Sequence, residues 1–455
     1  MNHFSATLTV PQASRRPPGP PPRGLFGNLK EFSADRLGSL TRWARQYGDL
    51  VSARFGPKWI LFANHPALVE EVLVHQNRKF IKHYRLRQAR STLGEGLLTS
   101  EGEFWRSQRK LAQPAFHRDR VAAYGWIMVA FTERLLGSWS DGQVRDVHLD
   151  MMRLTLEVVA KTLFDSELGG GSAEVSAAME TLMHCFVVST SSPVIVPRWL
   201  PTPMNLRVAR SVRRLERVLF GIIAERRRRP EDRGDLLSML LHAQDEESGR
   251  RMTDRQLRDE CMTLFLAGHE TTANTLAWAW FLLAGSAEVE ARLHDELDRV
   301  LGGRPPTVDD LPRLGYTESI INETLRLYPP AWMLGREAIE PLELGGYRVA
   351  KGTTVFMTAY AIHRDSRWFD DPDAFRPGRW ADGLIQRIPR YAYFPFGGGP
   401  RICIGNSFAL MEATLILATI AQRYRLRLAP DAAVTPLASM TLRPAQGVKM
   451  VLSQR

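Results

Sequence analysis

Helical hydrophobic periodicity dominates the chain, and strand-like runs occupy a small part of it. Apolar residues recur at helical spacing in segments 34–47, 66–77, 104–115 and 316–328, and residues 119–230 are helix-rich. Shorter runs bounded by glycine or proline have strand character, at 50–55, 59–62, 342–344, 347–349 and 353–360. The pattern therefore predicts a mainly α fold with a minor β portion (α+β), and the length allows one large domain or two or three smaller ones.

Four other stretches, two of them within 119–230, are interpreted separately. Residues 1–30 are proline-rich and predict an extended N-terminal tail before a domain over 31–455. Residues 80–103 and the proline-containing stretch 189–203 predict loops. The arginine run at 226–229 is interpreted as the solvated end of a helix.

The longest helical segment, residues 253–284, carries a polar cluster at its centre. Thr253 and Gln256 fit a capping box at its start, and beyond Cys261 the segment is apolar on nearly all sides, so it should be buried. Residues 267–272 read Ala-Gly-His-Glu-Thr-Thr. Polar groups in a buried helix cost free energy unless they are hydrogen-bonded or used, which suggests a functional site. The alternative is a threonine hydroxyl that bonds back to its own helix and kinks it.

A glycine-rich loop precedes a second apolar helix, predicted over roughly 406–424. Cys403 lies at the junction, where backbone N–H groups and nearby Arg401 favour a thiolate. Glycines at 397–399 let the backbone bend and approach a flat ligand. A thiolate with one open side suits a metal that needs a single protein ligand, and heme iron is the obvious case. A buried free cysteine in a glycine turn is the alternative, while zinc is disfavoured because no Cys-x-x-Cys pair is present.

Composition narrows the class of protein. The 455 residues are 44% hydrophobic and 24% charged, with a net charge of +11, as in an ordinary globular chain. Cys185, Cys261 and Cys403 are too far apart to suggest a disulfide scaffold, which favours a reducing, cytoplasmic location. No apolar run reaches the ~20 residues that span a bilayer, so no transmembrane anchor is expected. The positive charge favours an acidic partner over nucleic acid, since no basic stripe carries interleaved aromatic residues.

The glycine-rich loop matches a family motif. The pattern F-x-x-G-x-R-x-C-x-G is met by Phe396, Gly399, Arg401, Cys403 and Gly405. On these residues the chain resembles the cytochrome P450s, in particular the soluble bacterial type. The cluster at 267–272 is similar to the family's A-G-x-[DE]-T-T motif. The resemblance covers nearly the whole chain and implies a heme-thiolate monooxygenase domain that binds heme b, with the long helix over the heme.

The resemblance also implies roles for single residues. Cys403 is expected to be the axial iron ligand, with Arg401, Phe396, Gly405, Ala267 and Gly268 beside the heme. The heme propionates are expected to meet Trp105, Arg109 and Arg336. A structural cluster under the heme is expected from Glu323, Arg326 and Arg379. The substrate pocket is expected to be lined by Leu264, Phe265, Ala331, Met333 and Met440. His269 is interpreted as a packing or pocket-side residue and not as a second iron ligand.

The implied reaction inserts one oxygen atom from O₂, using two externally supplied electrons. It would hydroxylate or epoxidise a hydrophobic small molecule such as a fatty acid, terpenoid, steroid or polyketide. Thr271 would hold a water or the reacting oxygen, and Glu270 would relay protons to it. Alternatives are a heme-thiolate isomerase or peroxygenase, and a non-enzymatic heme ligand carrier or sensor. An acidic ferredoxin or flavodoxin with its reductase is the expected electron donor, docking at Arg106 and Lys110, and the protein is expected to be a monomer.

Overall fold

The computed structural model describes residues 16–455 except 166–177, 179–180, 183–199, 230, 232, 245–248, 250 and 382. The protein is mostly helical with a minor sheet portion, which confirms the predicted fold class. The α-helices are α1 (Leu29–Ala34), α2 (Arg36–Tyr47), α3 (Pro66–Glu70), α4 (Tyr84–Gln88), α5 (Arg90–Leu93), α6 (Gly102–Ala112), α7 (Arg118–Ala122), α8 (Gly125–Leu136), α9 (Val147–Phe164), α10 (Pro203–Arg228), α11 (Leu236–His242), α12 (Asp254–Ala284), α13 (Ala287–Leu301), α14 (Gly315–Leu327), α15 (Ala359–Ile362), α16 (Leu384–Arg387) and α17 (Asn406–Ala421). The strands are β1 (Leu50–Phe55), β2 (Lys58–Ala63), β3 (Phe80–Lys82), β4 (Val144–Asp146), β5 (Leu334–Ala338), β6 (Leu342–Leu344), β7 (Tyr347–Val349), β8 (Thr354–Met357), β9 (Tyr424–Leu428), β10 (Pro436–Ala438), β11 (Leu442–Pro444) and β12 (Lys449–Gln454).

The chain separates into two compact units, each with its own hydrophobic core. The first unit falls within Met1–Tyr84, Met333–Pro372 and Ile388–Ile402, and the second within Arg85–Trp332, Asp373–Arg387 and Cys403–Arg455. The division into a tail over 1–30 and one domain over 31–455 stays a prediction. Within the described ranges, no helix has the length and apolar character needed to cross a membrane.

The first unit is built on a five-stranded sheet in the order β1-β2-β8-β5-β3. β1 and β2 form the predicted antiparallel hairpin, with Val51 opposite Phe62. Gly56 takes the positive φ of 61° in the turn between them, which a glycine adopts without strain. β8 runs parallel to β2 and antiparallel to β5. Buried side chains on these strands, such as Leu61 and Val355, form part of the core of this unit.

The second unit is organised around α12. The Thr253 side chain accepts from the Gln256 backbone N–H, and the Gln256 side chain accepts from the Thr253 N–H, so the predicted capping box is confirmed. The helix has 31 residues and is about 46 Å long. It packs against α9, α10, α14 and α17, which explains why it is apolar on nearly all sides. The β10–β11 hairpin also contacts it through β11.

Several predicted boundaries differ from the structure. Residues 80–103, predicted as loop, contain β3, α4 and α5. The helix predicted over 66–77 consists of two parts: α3 ends at Glu70, and a wider π-helical turn follows over Glu71–His75. The helix predicted to reach residue 424 ends at Ala421, since Tyr424 already pairs with β12 as part of β9. Most of the loop predicted over 189–203 lies outside the described residues, and α10 begins at Pro203.

The interpretation of the arginine run at 226–229 is wrong for its first member. Arg226 is only 3% exposed, and its guanidinium forms an ion pair with Asp235 and donates to Ser238 Oγ at 2.8 Å. Arg228 and Arg229 are exposed, as predicted. The sequence does not reveal this pair, because it forms only when the start of α11 returns against the end of α10.

Candidate functional site

Cys403 lies in the turn before α17, and its side chain keeps accessible surface. Burial raises the pKa of its thiol, while the Gly405 backbone N–H and the Arg109 guanidinium act in the opposite direction. Burial lowers the pKa of the neighbouring Arg109, and a thiolate at Cys403 would oppose that shift. The sulfur is therefore enclosed by protein but open on one side.

A guanidinium from a distant part of the sequence acts on this sulfur. Arg109 of α6 lowers the pKa of the Cys403 thiol. Burial outweighs that effect and raises the pKa of the thiol when no metal is bound. The expectation of a thiolate at Cys403 stays a prediction. A bound metal cation would favour the thiolate over the thiol.

One face of α12 opens in the middle of a buried helix. Between Cys261 and Trp280, only Ala267, Gly268 and Thr271 keep appreciable accessible surface. Their spacing places them on a common face. Thr271 Oγ1 donates to the Ala267 carbonyl at 2.8 Å, so the back-bond considered as an alternative is present, but the helix continues unbroken to Ala284. The hydroxyl oxygen keeps lone pairs with which it can accept a further hydrogen bond.

His269 and Glu270 lie on the buried part of the same helix. Glu270 is 5% exposed, and its Oε1 accepts a hydrogen bond of 2.6 Å from Thr441 Oγ1. Burial raises the pKa of this carboxyl, against the Thr441 hydrogen bond and the nearby Arg443. His269 Nδ1 lies 2.9 Å from the Phe265 carbonyl oxygen, and burial lowers its pKa to about 4. His269 is therefore a neutral packing residue, in agreement with its interpretation.

The sequence reasoning missed a second buried carboxyl. Glu412 is the only charged residue of α17 and is 0% exposed, and neither of its oxygens has a hydrogen-bond partner within 3.5 Å among the described residues. Burial raises its pKa to about 8, and the hydroxyl of Thr272 on α12 acts weakly against this. Glu412 is therefore mainly protonated at neutral pH. A lone carboxyl in an otherwise uncharged apolar helix is the sequence signal that could have identified it.

Helix α6 divides its aromatic and basic residues between two faces, as its spacing predicts. Trp105 is buried, and Arg109, one turn further, is half-buried near Cys403. Arg106 and Lys110 are exposed, and Arg106 forms an ion pair with Glu103.

The predicted structural cluster forms around Glu323, which is 0% exposed. Its carboxylate accepts from Arg326 Nε at 2.9 Å and Nη2 at 2.8 Å, and from Arg379 Nε at 3.0 Å. The Trp380 indole N–H adds a bond of 2.9 Å, and the Arg376 backbone N–H adds another of 2.9 Å. Such complete hydrogen bonding allows a carboxylate to be buried in its charged form.

The remaining predicted residues are divided between the two units. In the second unit, Leu264 and Phe265 are buried in the core, and Met440 packs against that core from the turn between β10 and β11. Ala331, also in this unit, is partly exposed. The first unit contains Met333, Arg336, Phe396 and Arg401, all partly exposed, with Arg336 on β5 opposite Val355.

The donor set at Cys403 fits a heme. Across the described residues, no group of three or more His, Cys, Asp or Glu side chains could hold a metal ion. The iron of a porphyrin brings its other ligands with it and therefore suits a single protein thiolate such as Cys403. The open face at Ala267 and Gly268 lacks bulky side chains, and the Arg109 guanidinium is suited to a carboxylate such as a propionate.

Comparison with known proteins decides the family. The model of the family described as Cytochrome P450 matches residues 17–451. The chain belongs to the cytochrome P450 family. Cyclooctat-9-en-7-ol 5-monooxygenase of Streptomyces melanosporofaciens is 42% identical over 84% of both chains. Cyclooctatin synthase of the same organism is 40% identical over 87% of both chains. Pentalenene oxygenase of Streptomyces avermitilis is 38% identical over 90% of this P450 and 91% of the relative.

Solved structures agree with this result. The heme domain of cytochrome P450DA superposes with a TM-score of 0.88 at 30% identity, covering 96% of this P450 and 97% of that chain. The protein is a cytochrome P450 monooxygenase that acts on a hydrophobic small molecule and uses heme iron, O₂ and redox partners. The predictions of family, fold class and enzyme class are confirmed.

Proposed function

We propose that this P450 hydroxylates or epoxidises a terpenoid hydrocarbon or alcohol. The observation that carries the proposal is the identity of 38% to 42% to three Streptomyces relatives, of which two are named for the oxygenation of pentalenene and cyclooctat-9-en-7-ol. The apolar side chains of Leu264, Phe265 and Met440 support it, because they offer dispersion contacts but few hydrogen bonds to a substrate. Fatty acids, which carry a carboxylate, are the competing class.

Substrate class is tested by titrating the purified holoprotein with matched ligands. Polycyclic terpenes and their alcohols should shift the Soret band to shorter wavelength, whereas linear fatty acids of equal carbon number should leave it unchanged. The physical reason is displacement of water from the heme iron by a bulky apolar molecule held close to it. A blue shift with the fatty acids and none with any terpenoid would refute the proposed substrate class.

The proposed cofactor is heme b with Cys403 as its axial ligand. When bound, the heme supplies the reductive activation of O₂, which a thiolate ligand promotes by donating electron density. Trp105, Arg109 and Arg336 would pair with its propionates, and Ala267, Gly268, Phe396, Arg401 and Gly405 would border it. The half-buried guanidinium of Arg109 supports this assignment, because it would neutralise charge in a place that water reaches poorly.

Two neighbouring residues of α12 would handle the protons that the reaction consumes. Thr271 would hold a water at its Oγ1, because this oxygen is accessible while its own hydrogen is bonded to the Ala267 carbonyl. Glu270 would hold a proton at its carboxyl, because burial raises its pKa. Its burial means that the carboxyl must turn toward the open face of α12 before it delivers that proton.

Removal of either proton carrier should uncouple electron use from product formation. Thr271→Ala and Glu270→Gln should bind heme and substrate but lower product formation on the order of 100-fold, with NADPH consumption diverted to peroxide. The measurement is the ratio of peroxide to product with a generic reductase system. Thr275→Ala is the matched control, since Thr275 also bonds back to α12, to the Thr271 carbonyl at 2.9 Å, but is buried. An unchanged ratio in both test variants would eliminate these two roles.

An acidic ferredoxin or flavodoxin with its reductase is the proposed electron donor, acting on a cytoplasmic monomer. The net charge of +11 and the exposed Arg106 and Lys110 on the helix of Arg109 support it. The ion pair of Arg106 with Glu103 reduces the charge that this face offers.

Charge reversal tests the docking face. Arg106→Glu with Lys110→Glu should slow reduction by an acidic donor by about tenfold at low salt, through the association rate, without altering substrate titrations. Arg228→Glu with Arg229→Glu changes the net charge equally at two exposed positions of the segment that ends α10. Equal slowing in both double variants would show that net charge, and not this face of α6, determines the rate.

A further inference from the structure

Three residues of α12, each four positions apart, hold the start of β11. Glu270 Oε1 accepts from Thr441 Oγ1 at 2.6 Å, and Asn274 Nδ2 donates to the same hydroxyl oxygen at 3.3 Å. Trp278 Nε1 donates to the Leu442 carbonyl at 3.1 Å. Residues four apart share one face of a helix, so a single stripe of α12 fixes the backbone and the side chain of this strand start.

Asn274, the middle residue of this stripe, also forms a hydrogen bond with α9. Asn274 is fully buried, and its Oδ1 lies 2.9 Å from His148 Nε2. Burial lowers the pKa of His148, so the ring is neutral at neutral pH, and Nε2 must carry the proton because an amide oxygen only accepts. His148 is partly exposed and is the member of this series of hydrogen bonds nearest to solvent.

In this series, the donor and acceptor of each hydrogen bond determine the donor and acceptor of the next. Because His148 donates to Asn274 Oδ1, the amide turns its Nδ2–H toward Thr441. That N–H occupies a lone pair of the Thr441 hydroxyl, whose hydrogen is then directed to Glu270. All three donors point toward the carboxyl, and hydrogen bonds aligned in this way reinforce one another in a low-dielectric interior.

Charged side chains affect the two titratable groups in this series of hydrogen bonds. Arg443 on β11 lowers the pKa of both Glu270 and His148, and Asp146 raises the pKa of His148. Burial favours the neutral acid at Glu270, whereas the Thr441 hydrogen bond and Arg443 favour the carboxylate. The hydroxyl of Thr441 is therefore a neutral donor that opposes the effect of burial on the pKa of this carboxyl.

We propose that Thr441 is a positioning residue: oriented by Asn274 and His148, it holds the Glu270 carboxyl in its buried place and controls when that carboxyl releases its proton. The proposal rests on the proposed function of Glu270 as a proton carrier. A protonated Glu270 loses the preference of its anion for the Thr441 donor and becomes free to turn toward the open face of α12. After the carboxyl gives up its proton, the hydrogen bond draws the carboxylate back.

The test measures the Glu270 carboxyl directly, in resting holoprotein without turnover. Its C=O stretch is identified by infrared difference against Glu270→Gln, and its intensity is followed with pH. Thr441→Val removes the hydroxyl and keeps the branched shape, so the titration midpoint should rise by about one pH unit and the band should move to higher frequency. Thr441→Ser should restore both values to those of the wild type.

Two further variants keep the test informative. Thr435→Val is the matched control, because Thr435 precedes β10 of the same hairpin and its exposed hydroxyl bonds to Gln446. Asn274→Leu removes the two bonds that orient Thr441 and should raise the midpoint by a smaller amount. An unchanged midpoint in Thr441→Val, or an equal rise in Thr435→Val, would overturn the proposal. A raised midpoint with unaltered peroxide release in Glu270→Gln would support the role of Thr441 and refute that of Glu270.

Discussion

Cys403→Ser is expected to abolish the red-shifted Soret band of the reduced CO complex and, with it, monooxygenase activity. A serine hydroxyl cannot supply the thiolate that gives this band its position, because its proton is far harder to remove than that of a thiol. The Arg109 guanidinium and the Gly405 N–H, which act on the sulfur in the wild type, do not bridge that difference. The measurement is the absorption spectrum of dithionite-reduced, CO-treated protein.

The other cysteines provide controls for this experiment. Cys261 is buried in α12, and burial strongly raises the pKa of its thiol, so Cys261→Ser should keep the band. Cys185→Ser, at a position outside the described residues, should keep it as well. A normal band in Cys403→Ser, with both other cysteines intact, would assign the iron ligand elsewhere.

Arg326→Met should destabilise the protein by about 3–5 kcal/mol, the second large effect expected from the structure. The substitution removes the two hydrogen bonds that Arg326 Nε and Nη2 donate to the fully buried Glu323 carboxylate and leaves that charge undercompensated. The free energy of unfolding of the holoprotein, from denaturant titration followed by circular dichroism, measures the effect.

An exposed ion pair supplies the comparison. Arg423 Nη2 contacts Glu133 Oε1 at 2.9 Å, and roughly half of the Arg423 side chain is exposed. Arg423→Met should therefore cost about 0–1 kcal/mol. Equal losses of unfolding free energy in Arg326→Met and Arg423→Met would show that burial of the Glu323 cluster does not raise the cost of breaking its ion pair.

Local signals made parts of the fold predictable. The capping box at Thr253, the hairpin around Gly56 and the apolar period of α12 each depend on residues close in sequence, so their structures followed directly. The Arg226–Asp235 ion pair depends on how α10 and α11 meet, which no local pattern encodes. The break between α3 and the π-helical turn also has no local signal that we can identify.

The candidate site was predictable where a motif supplied the geometry. Residue type and motif spacing indicated Cys403 and the polar cluster of α12 as candidates, and the structure places Ala267, Gly268 and Thr271 on one open face. It could not reveal that Thr441, 171 residues from Glu270 in the chain, would hold that carboxyl. Nor could it reveal that the Arg109 guanidinium would lie close enough to act on the sulfur.

The buried carboxyl of Glu412 on α17 takes up a proton when the protein folds at neutral pH. An unfolded chain gives up the Glu412 proton near the ordinary value of 4.5, whereas the folded chain holds it up to about pH 8. Between these limits the native state binds more protons than the unfolded state, so this residue lowers stability progressively as the pH rises. Below the window both states are protonated and above it both are ionised, so the contribution no longer changes. Mildly acidic conditions should thus favour the native state through a residue that the proposed chemistry does not use.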